Sequence, residues 1–265
     1  MKYKLIGLDL DGTTLNSSGQ LSCRTQKALR EASRKGVHIV IATGRNFSAL
    51  PDFLRKFDFI EYTVNSNGGE VRDYRTKESI FRSHIDLDGA TEVYEFLRKK
   101  KHMIEVFVDG RGYIEKADFE DIKRGLVSYR TREYVLKTRT PRDNLKNIEN
   151  IKIFFETDDE KHKMRNELKK LKNISVTSSL PENLEIGGEN TSKAAGILFV
   201  ADKLGVDKGQ IMCFGDGLND LEMISMAGMG VAMENGLCEL KSAADYIAPG
   251  NDCDGVAQVI EKFVL

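Results

Sequence analysis

Acidic residues stand directly behind apolar runs at two places in this chain. Tyr3 to Leu8 leads into Asp9-Leu10-Asp11-Gly12, and Ile211 to Phe214 leads into Gly215-Asp216-Gly217-Leu218-Asn219-Asp220. A carboxylate withdrawn from water without a partner is costly and tends to neutralise instead. In an extended chain residues i and i+2 face one side, so Asp9 and Asp11 can address one small volume. Two like charges that close need a cation, or one of them must hold a proton. A plain turn explains Asp11-Gly12 taken alone, and a helix cap explains one of Asp216 and Asp220 but not both. The Asp-x-Asp-x-Asp-Gly spacing of a calcium loop is missing. Hard oxygen donors at two strand ends suit octahedral Mg2+, which takes one or two carboxylates together with waters and phosphate oxygens.

A cation among carboxylates suggests phosphate, and other residues supply partners for phosphate oxygens. Thr43-Gly44 offers a hydroxyl and an unhindered main-chain N–H behind a third apolar run. Lys193 begins a helical stretch, where an ammonium and the positive helix terminus can face one anion. Taken singly, Thr-Gly reads as a turn and Lys193 as a solvated helix start. Arg45 and Asn67 fall at the same strand ends, as substrate contacts or equally as an ion-pair partner and a turn residue.

The elements that must position these residues share one grammar. Four β-branched-rich apolar runs stop abruptly at small and polar residues: KLIGLDLDG, VHIVIATGR, YTVNSNGG and QIMCFGDGLND. Near-continuous apolar runs fit strands of a parallel sheet buried on both faces. Ser22 to Lys35 reads as a helix with Ser22 as N-cap and Gly36 as its stop, and residues 193–204 read as another. GMGVAME and Asp245-Tyr246-Ile247 read as further short strands. In such α/β sheets chemistry gathers beyond the carboxyl ends of the strands. Gly12 keeps the turn after Asp11 open, and Thr13-Thr14-Leu15 leads on toward the first helix.

The middle of the chain follows another pattern. His84 to Lys101 reads as a helix, and MIEVFVDG with GYIEK as a hairpin turning at Asp109-Gly110-Arg111-Gly112. Asn150 to Glu156 reads as a strand, Asp158 to Lys172 as a charged helix, and ISVTSSL and NLEIGG as two more strands. Strands in pairs interleaved with helices suggest a compact α+β insert. The expected organisation is a doubly wound, mostly parallel, Rossmann-like α/β core at 1–82 and 188–265, carrying an inserted α+β cap at 83–187.

DLDGT, the ATGR strand end, a single lysine ahead of a helix and GDGLND, in this order, resemble the haloacid dehalogenase superfamily of phosphatases. The large insert resembles the Cof-type, subclass IIB cap, and the closing NDCDGVAQVI is similar to the tail of that family. One departure is Ala194, where the family more often has glycine after the lysine. The resemblance implies that Asp9 is a nucleophile forming an aspartyl-phosphate. Asp11 then protonates the leaving oxygen and later deprotonates water. Asp9, the main-chain carbonyl of Asp11, and Asp216 hold Mg2+. Thr43, Gly44, Lys193 and Asn219 bind the phosphoryl group, and Asp220 supports the cluster through water or by orienting Lys193. The expected substrate is a small phosphorylated metabolite, a sugar or cofactor phosphate. Alternatives from the same residues are a sugar phosphomutase or phosphotransferase and a non-catalytic phosphometabolite sensor, although a receiver domain is about half as long and lacks an insert.

Composition narrows the classes further. The chain has 265 residues, 40% hydrophobic and 31% charged, with 40 basic and 41 acidic residues and a net charge of −1. That balance gives no general attraction to nucleic acid or anionic membranes. No run approaches the roughly 18 apolar residues of a membrane span. Cys23, Cys213, Cys238 and Cys253 lack any framework spacing and read as reduced thiols of a cytoplasmic protein. A monomer or small homo-oligomer is expected. Gly228-Met229-Gly230 lacks the third glycine of a dinucleotide fingerprint and reads as strand packing. The four histidines are isolated, which argues against zinc, and Arg98 to Lys101 reads as a solvated helix end.

Overall fold

Leu5, Ile6, Gly7 and Leu8 are all buried, the pattern of a strand covered on both faces. In the computed structural model, residues 2–109, 111–114, 137–138, 145–180 and 182–265 are described. The chain separates into two compact units. One runs to Gly44 and takes in Pro51–Phe81 and Ser192–Leu265; the other comprises Arg45–Leu50 and Arg82–Thr191.

The strands open with β1 (Leu5–Leu8), β2 (His38–Ala42), β3 (Ile60–Asn65), β4 (Glu70–Asp73) and β5 (Ser79–Arg82). Next come β6 (Glu105–Val108), β7 (Arg111–Ile114), β8 (Lys137–Thr138), β9 (Ile148–Phe154), β10 (Ile174–Thr177) and β11 (Asn183–Gly188). The last are β12 (Ile211–Gly215), β13 (Met229–Met233) and β14 (Tyr246–Ala248). The helices are α1 (Cys23–Arg34), α2 (Leu87–Lys99), α3 (Asp158–Leu168), α4 (Lys193–Leu204), α5 (Leu221–Met226), α6 (Cys238–Ala243) and α7 (Gly255–Phe263).

The first sheet has the order β14-β13-β12-β1-β2-β3-β4-β5. From β14 to β3 every pairing is parallel, and β4 turns back antiparallel on β3. The chain leaves β1 for β2 and β3 on one side and returns to β12 on the other. The switch in strand order therefore lies between β1 and β12, and ligands of open α/β sheets bind at the carboxyl ends beside such a switch. Asp9 follows β1 and Asp216 follows β12, so both stand at that point. Gly7 brings α4 close: a Cβ there would lie 2.9 Å from Ile197 Cδ1, and Lys193 begins the same helix one turn earlier. A mostly parallel α/β core of Rossmann-like type is thus in place.

In the second unit the sheet order is β10-β11-β9-β6-β7-β8. Alternation along its strands sends Val106, Ile151, Ile153, Leu184 and Ile186 into one core with Val93 and Leu97 of α2 and Met164 and Leu168 of α3. Glu105, Lys152 and Glu185 are register partners across β6, β9 and β11, and Lys152 pairs with Glu185 at 2.9 Å.

Several boundaries differ from the sequence reading. Helix α2 begins at Leu87 rather than His84, because Asp86 caps it by accepting from the Gly89 amide at 2.7 Å. It ends at Lys99, ahead of the left-handed Lys101 (φ 61°). Strand β9 starts at Ile148, directly after the left-handed Asn147 (φ 60°), and α3 stops at Leu168. The β4–β5 hairpin carried no sequence expectation. Its turn uses the Asp73 carboxylate, which accepts from the Arg75 and Thr76 amides, and a left-handed Lys77, so the usual Asn-Gly or Asp-Gly signal is missing. The expected strand Gly112 to Lys116 is described as far as Ile114. Glu115 and Lys116, with Gly110 of the turn before them, lie outside the described residues. All four cysteines are free thiols. Among the described residues no helix is long and apolar enough to cross a membrane.

Candidate active site

Strand β1 stops at Leu8 because the chain turns at once: the Leu10 carbonyl accepts from the Thr13, Thr14 and Leu15 amides. Leu10 is fully buried and Asp11 exposed. The extended-chain argument for a shared face of Asp9 and Asp11 therefore does not apply beyond β1. The carboxylate that approaches Asp9 comes from the neighbouring strand end. The Asp9 amide donates to the Phe214 carbonyl at 3.1 Å, continuing the β1–β12 ladder and bringing Asp9 beside Asp216. Ligand oxygens of Asp9, Asp216 and Asp220 lie within 4.8 Å of one another.

Lys193 ties this cluster together. Its Nζ donates to Asp9 Oδ1 at 2.5 Å and to Asp220 Oδ1 at 2.6 Å, and the side chain is 1% exposed. Two of the three ammonium protons are thereby used and one remains for a further acceptor. The other oxygen of Asp220 accepts from the Asp216 and Gly217 amides at 3.0 and 2.9 Å, closing the loop that carries Asp216. Asp220 thus orients both the lysine and the loop, and its oxygens are already engaged. Ser192 Oγ caps α4 by accepting from the Ala195 amide, which sets Lys193 at the first helical position.

Three acids around one ammonium leave uncompensated negative charge, and the titration behaviour follows. Burial is the largest influence on Asp9 and pushes it well above the usual carboxylate range. Lys193 opposes that rise, while Asp220, Asp216 and Asp11 add to it. Asp216 is pushed up to about 6 by burial and then by Asp220, against a hydrogen bond from Thr13. Burial alone would lower Lys193, but the charges of Asp220 and Asp9 outweigh it and hold the ammonium well above its ordinary range. The donor set fits a hard divalent cation, whose charge replaces the proton that Asp9 or Asp216 otherwise takes up. Asp9 and Asp216 suit ligation better than Asp220, which already accepts three hydrogen bonds. The Asp11 carboxylate is not part of this cluster.

The turn after Asp11 has a larger part than leading toward the first helix. Thr13 and Thr14 are buried; Thr13 Oγ1 donates to Asp216 Oδ1 at 2.6 Å and Thr14 Oγ1 to the Asp9 carbonyl at 2.5 Å. Gly12 has φ +80°, and a Cβ on it would lie 2.4 Å from Asp216 Oδ2. From outside, Asn235 Nδ2 donates to the Gly12 carbonyl and Asn251 Nδ2 to the Leu15 carbonyl, both at 2.8 Å. These four polar residues were not singled out in the sequence. The Gly-Thr-Thr string and the Asn at the head of NDCDG were the available signals. Gly12→Ala should lower the melting temperature by a few degrees, since a left-handed alanine costs about 1 kcal/mol. It should also cut turnover about 100-fold by displacing the Asp216 carboxylate. Steady-state rates and a thermal melt of the same preparation check both parts.

Thr43, Gly44 and Asn67 take their places along the same edge. Thr43 and Gly44 follow β2, the other neighbour of β1, and both are buried. Asn67 lies just past β3, is buried, and accepts from Asn219 Nδ2 at 3.0 Å. Asp216, Asp9, Thr43 and Asn67 thus follow four consecutive strands, β12, β1, β2 and β3. Arg45 belongs to the second unit, where its guanidinium donates to the Ala49 carbonyl at 3.1 Å.

Comparison with known proteins identifies the family. The profile of the haloacid dehalogenase-like hydrolase family matches residues 6–260. The chain is 31% identical over 264 residues to 5-amino-6-(5-phospho-D-ribitylamino)uracil phosphatase YcsE of Bacillus subtilis (strain 168), covering 99% of this chain and 96% of the relative. Phosphatase YwpJ of the same organism is 28% identical over 287 residues, with 98% and 100% covered. The solved structure of the HAD subclass IIB sugar phosphatase BT4131 superposes with a TM-score of 0.85 over 98% of each chain, at 24% identity, a likeness of fold. Two strand ends that converge their carboxylates on one buried lysine, in a chain matched over nearly its whole length, place this protein in the haloacid dehalogenase-like hydrolase family, as a phosphatase.

Proposed function

We propose that this protein is a Mg2+-dependent, cytoplasmic phosphatase that hydrolyses small phosphorylated metabolites through a phosphorylated Asp9. The observation that carries this reading is the buried cluster of Asp9, Asp216 and Asp220 around Lys193. Asp9, Asp216 and the main-chain carbonyl of Asp11 are the residues that would hold the cation. Bound there, Mg2+ supplies positive charge against the phosphoryl oxygens and against the carboxylates that burial otherwise protonates.

The chain's own residues do the rest. The Asp9 oxygen not held by Lys193 attacks phosphorus, and the bond from phosphorus to the leaving oxygen breaks. Asp11, exposed at the mouth of the turn, gives that oxygen its proton. Water then attacks the acyl phosphate, Asp11 recovers a proton from it, and inorganic phosphate departs with Asp9 regenerated. Thr43, the Gly44 amide, Asn219 and the third proton of Lys193 bind the phosphoryl oxygens, so positioning and charge compensation supply most of the rate. The insert expected at 83–187 is read as a cap that selects among leaving groups. YcsE bears the name of a phosphatase for a ribityl phosphate, which makes phosphate on the primary carbon of a polyol chain the first class to test.

A screen of sugar, polyol and cofactor phosphates, with Mg2+ and with chelator, tests the reading. Stoichiometric release of inorganic phosphate only with the cation is expected. Phosphate moved to another hydroxyl without release would indicate a transferase, and a stable phosphoprotein without turnover a sensor. A second outcome concerns pH. Mg2+ should raise the melting temperature at pH 7.5, and the gain should shrink at pH 5.5. Protons compete for Asp216 below about 6, so apparent affinity should fall about tenfold per pH unit there if one proton is displaced. Equal stabilisation at both pH values would remove Asp216 from the ligand set.

A further inference from the structure

Three consecutive residues after β3 have left-handed backbones: Ser66 (φ 50°), Asn67 (φ 53°) and Gly68 (φ 102°). Such a run is unfavourable for the two residues that carry a side chain, so neighbouring contacts must hold it. Those contacts reach three separate segments. The Asn67 amide donates to the Thr43 carbonyl at 3.0 Å. Its side-chain Oδ1 accepts from Asn219 Nδ2 at 3.0 Å. Gly68 lies against the main chain of Ser192, the cap of α4, so closely that a Cβ would stand 2.1 Å from the Ser192 carbonyl oxygen. Thr43, Asn219 and Lys193 arrive from three different parts of the chain, and this turn touches all three segments.

We propose that Asn67 is a positioning residue for the phosphoryl pocket, acting through the Asn219 amide rather than on substrate. An amide group has a donating and an accepting end. By accepting one N–H of Asn219, Asn67 decides which end faces an incoming anion and leaves the second N–H for a phosphoryl oxygen. Without that acceptor the Asn219 amide can rotate and present its carbonyl oxygen, which repels phosphate. The inference rests on the phosphate-binding part proposed for Asn219 and assigns Asn67 a part in keeping it.

Asn67→Gly tests this, because glycine keeps the left-handed backbone and removes the side chain that carries the acceptor. Inhibition by inorganic phosphate and KM for para-nitrophenyl phosphate should each weaken about tenfold, the worth of one lost hydrogen bond, with kcat reduced less. Asn67→Ala should weaken phosphate by the same factor yet melt lower, since alanine adds backbone strain. The decisive variant is Asn67→Gly made in an Asn219→Ala background, where it should cost less than twofold more. If Asn219→Ala weakens phosphate while Asn67→Gly matches the parent, the positioning part of Asn67 is overturned and that of Asn219 stands. Fully additive losses in the double variant also overturn it, because Asn67 would then act independently. If Asn219→Ala leaves phosphate inhibition unchanged, the reading of Asn219 fails, and this inference with it.

Discussion

Asp9→Asn should reduce phosphate release by at least about 10^4-fold, the scale on which removing a nucleophile acts. The neutral amide keeps the shape of the side chain, so the fold should remain. In the absence of a cation the variant should melt no lower than the parent. Burial already pushes the Asp9 carboxyl well up, against the pull of Lys193, so the native site carries a charge that an amide relieves. Lys193 retains Asp220 at 2.6 Å in that variant, so the ammonium is not stranded. The second part of the expectation concerns Mg2+, which should stabilise Asp9→Asn much less than the parent because one charged ligand is gone. Turnover comparable to the parent would sink the nucleophile assignment. A folded, inactive variant that still gains full Mg2+ stabilisation would separate the ligand part of Asp9 from its nucleophilic part.

Lys193→Met should be the most destabilising single change at the site. It strands two buried carboxylates, Asp9 and Asp220, that share the ammonium at 2.5 and 2.6 Å. Removing one side of a buried ionic group costs about 3–5 kcal/mol, which lowers the melting temperature by roughly 6–20 °C at about 2–4 °C per kcal/mol. The sign of the pH dependence follows from linkage. Loss of the lysine removes the influence that holds Asp9 down, so in the native variant Asp9 takes a proton more readily than in the unfolded chain. Stability of the variant relative to the parent therefore improves as pH falls, and the deficit should be larger at pH 8 than at pH 5.5. Melts at both pH values check this; an equal deficit would mean that Lys193 acts through packing alone. Turnover should fall as well, since the remaining ammonium proton no longer reaches a phosphoryl oxygen.

Much of the core was legible because its signals are local. Buried parallel strands announce themselves as short apolar runs, and polar residues at their ends mark where each run leaves the sheet. Helix α4 begins at Lys193 and α1 is capped by Ser22, both as read from the chain. The β4–β5 hairpin escaped because its left-handed turn position is a lysine and its turn is closed by an aspartate side chain. The start of α2 was misplaced because Ile85 pairs with Ile148, a contact 63 residues away that overrides local helix propensity before Asp86.

Within the site the division is sharper. The positions of Asp9, Asp216, Thr43 and Lys193 behind strands or at a helix start could be read from the chain alone, because each depends only on its own segment. Their partners could not. Lys193 meets Asp9 across 184 positions and Asp220 across 27, and Thr13 meets Asp216 across 203. The strand order decides those meetings: β12 joins β1 on the side opposite β2, which puts Asp216 rather than Asp11 beside the Asp9 carboxylate. Charge state was likewise hidden, because desolvation depends on everything packed around a carboxylate and not on its neighbours in sequence. The sequence by itself determined which groups end up on the carboxyl edge of the sheet and the family to which the chain belongs. Only the tertiary structure decided which of those groups touch, which share a lysine, and how strongly burial works against their charge.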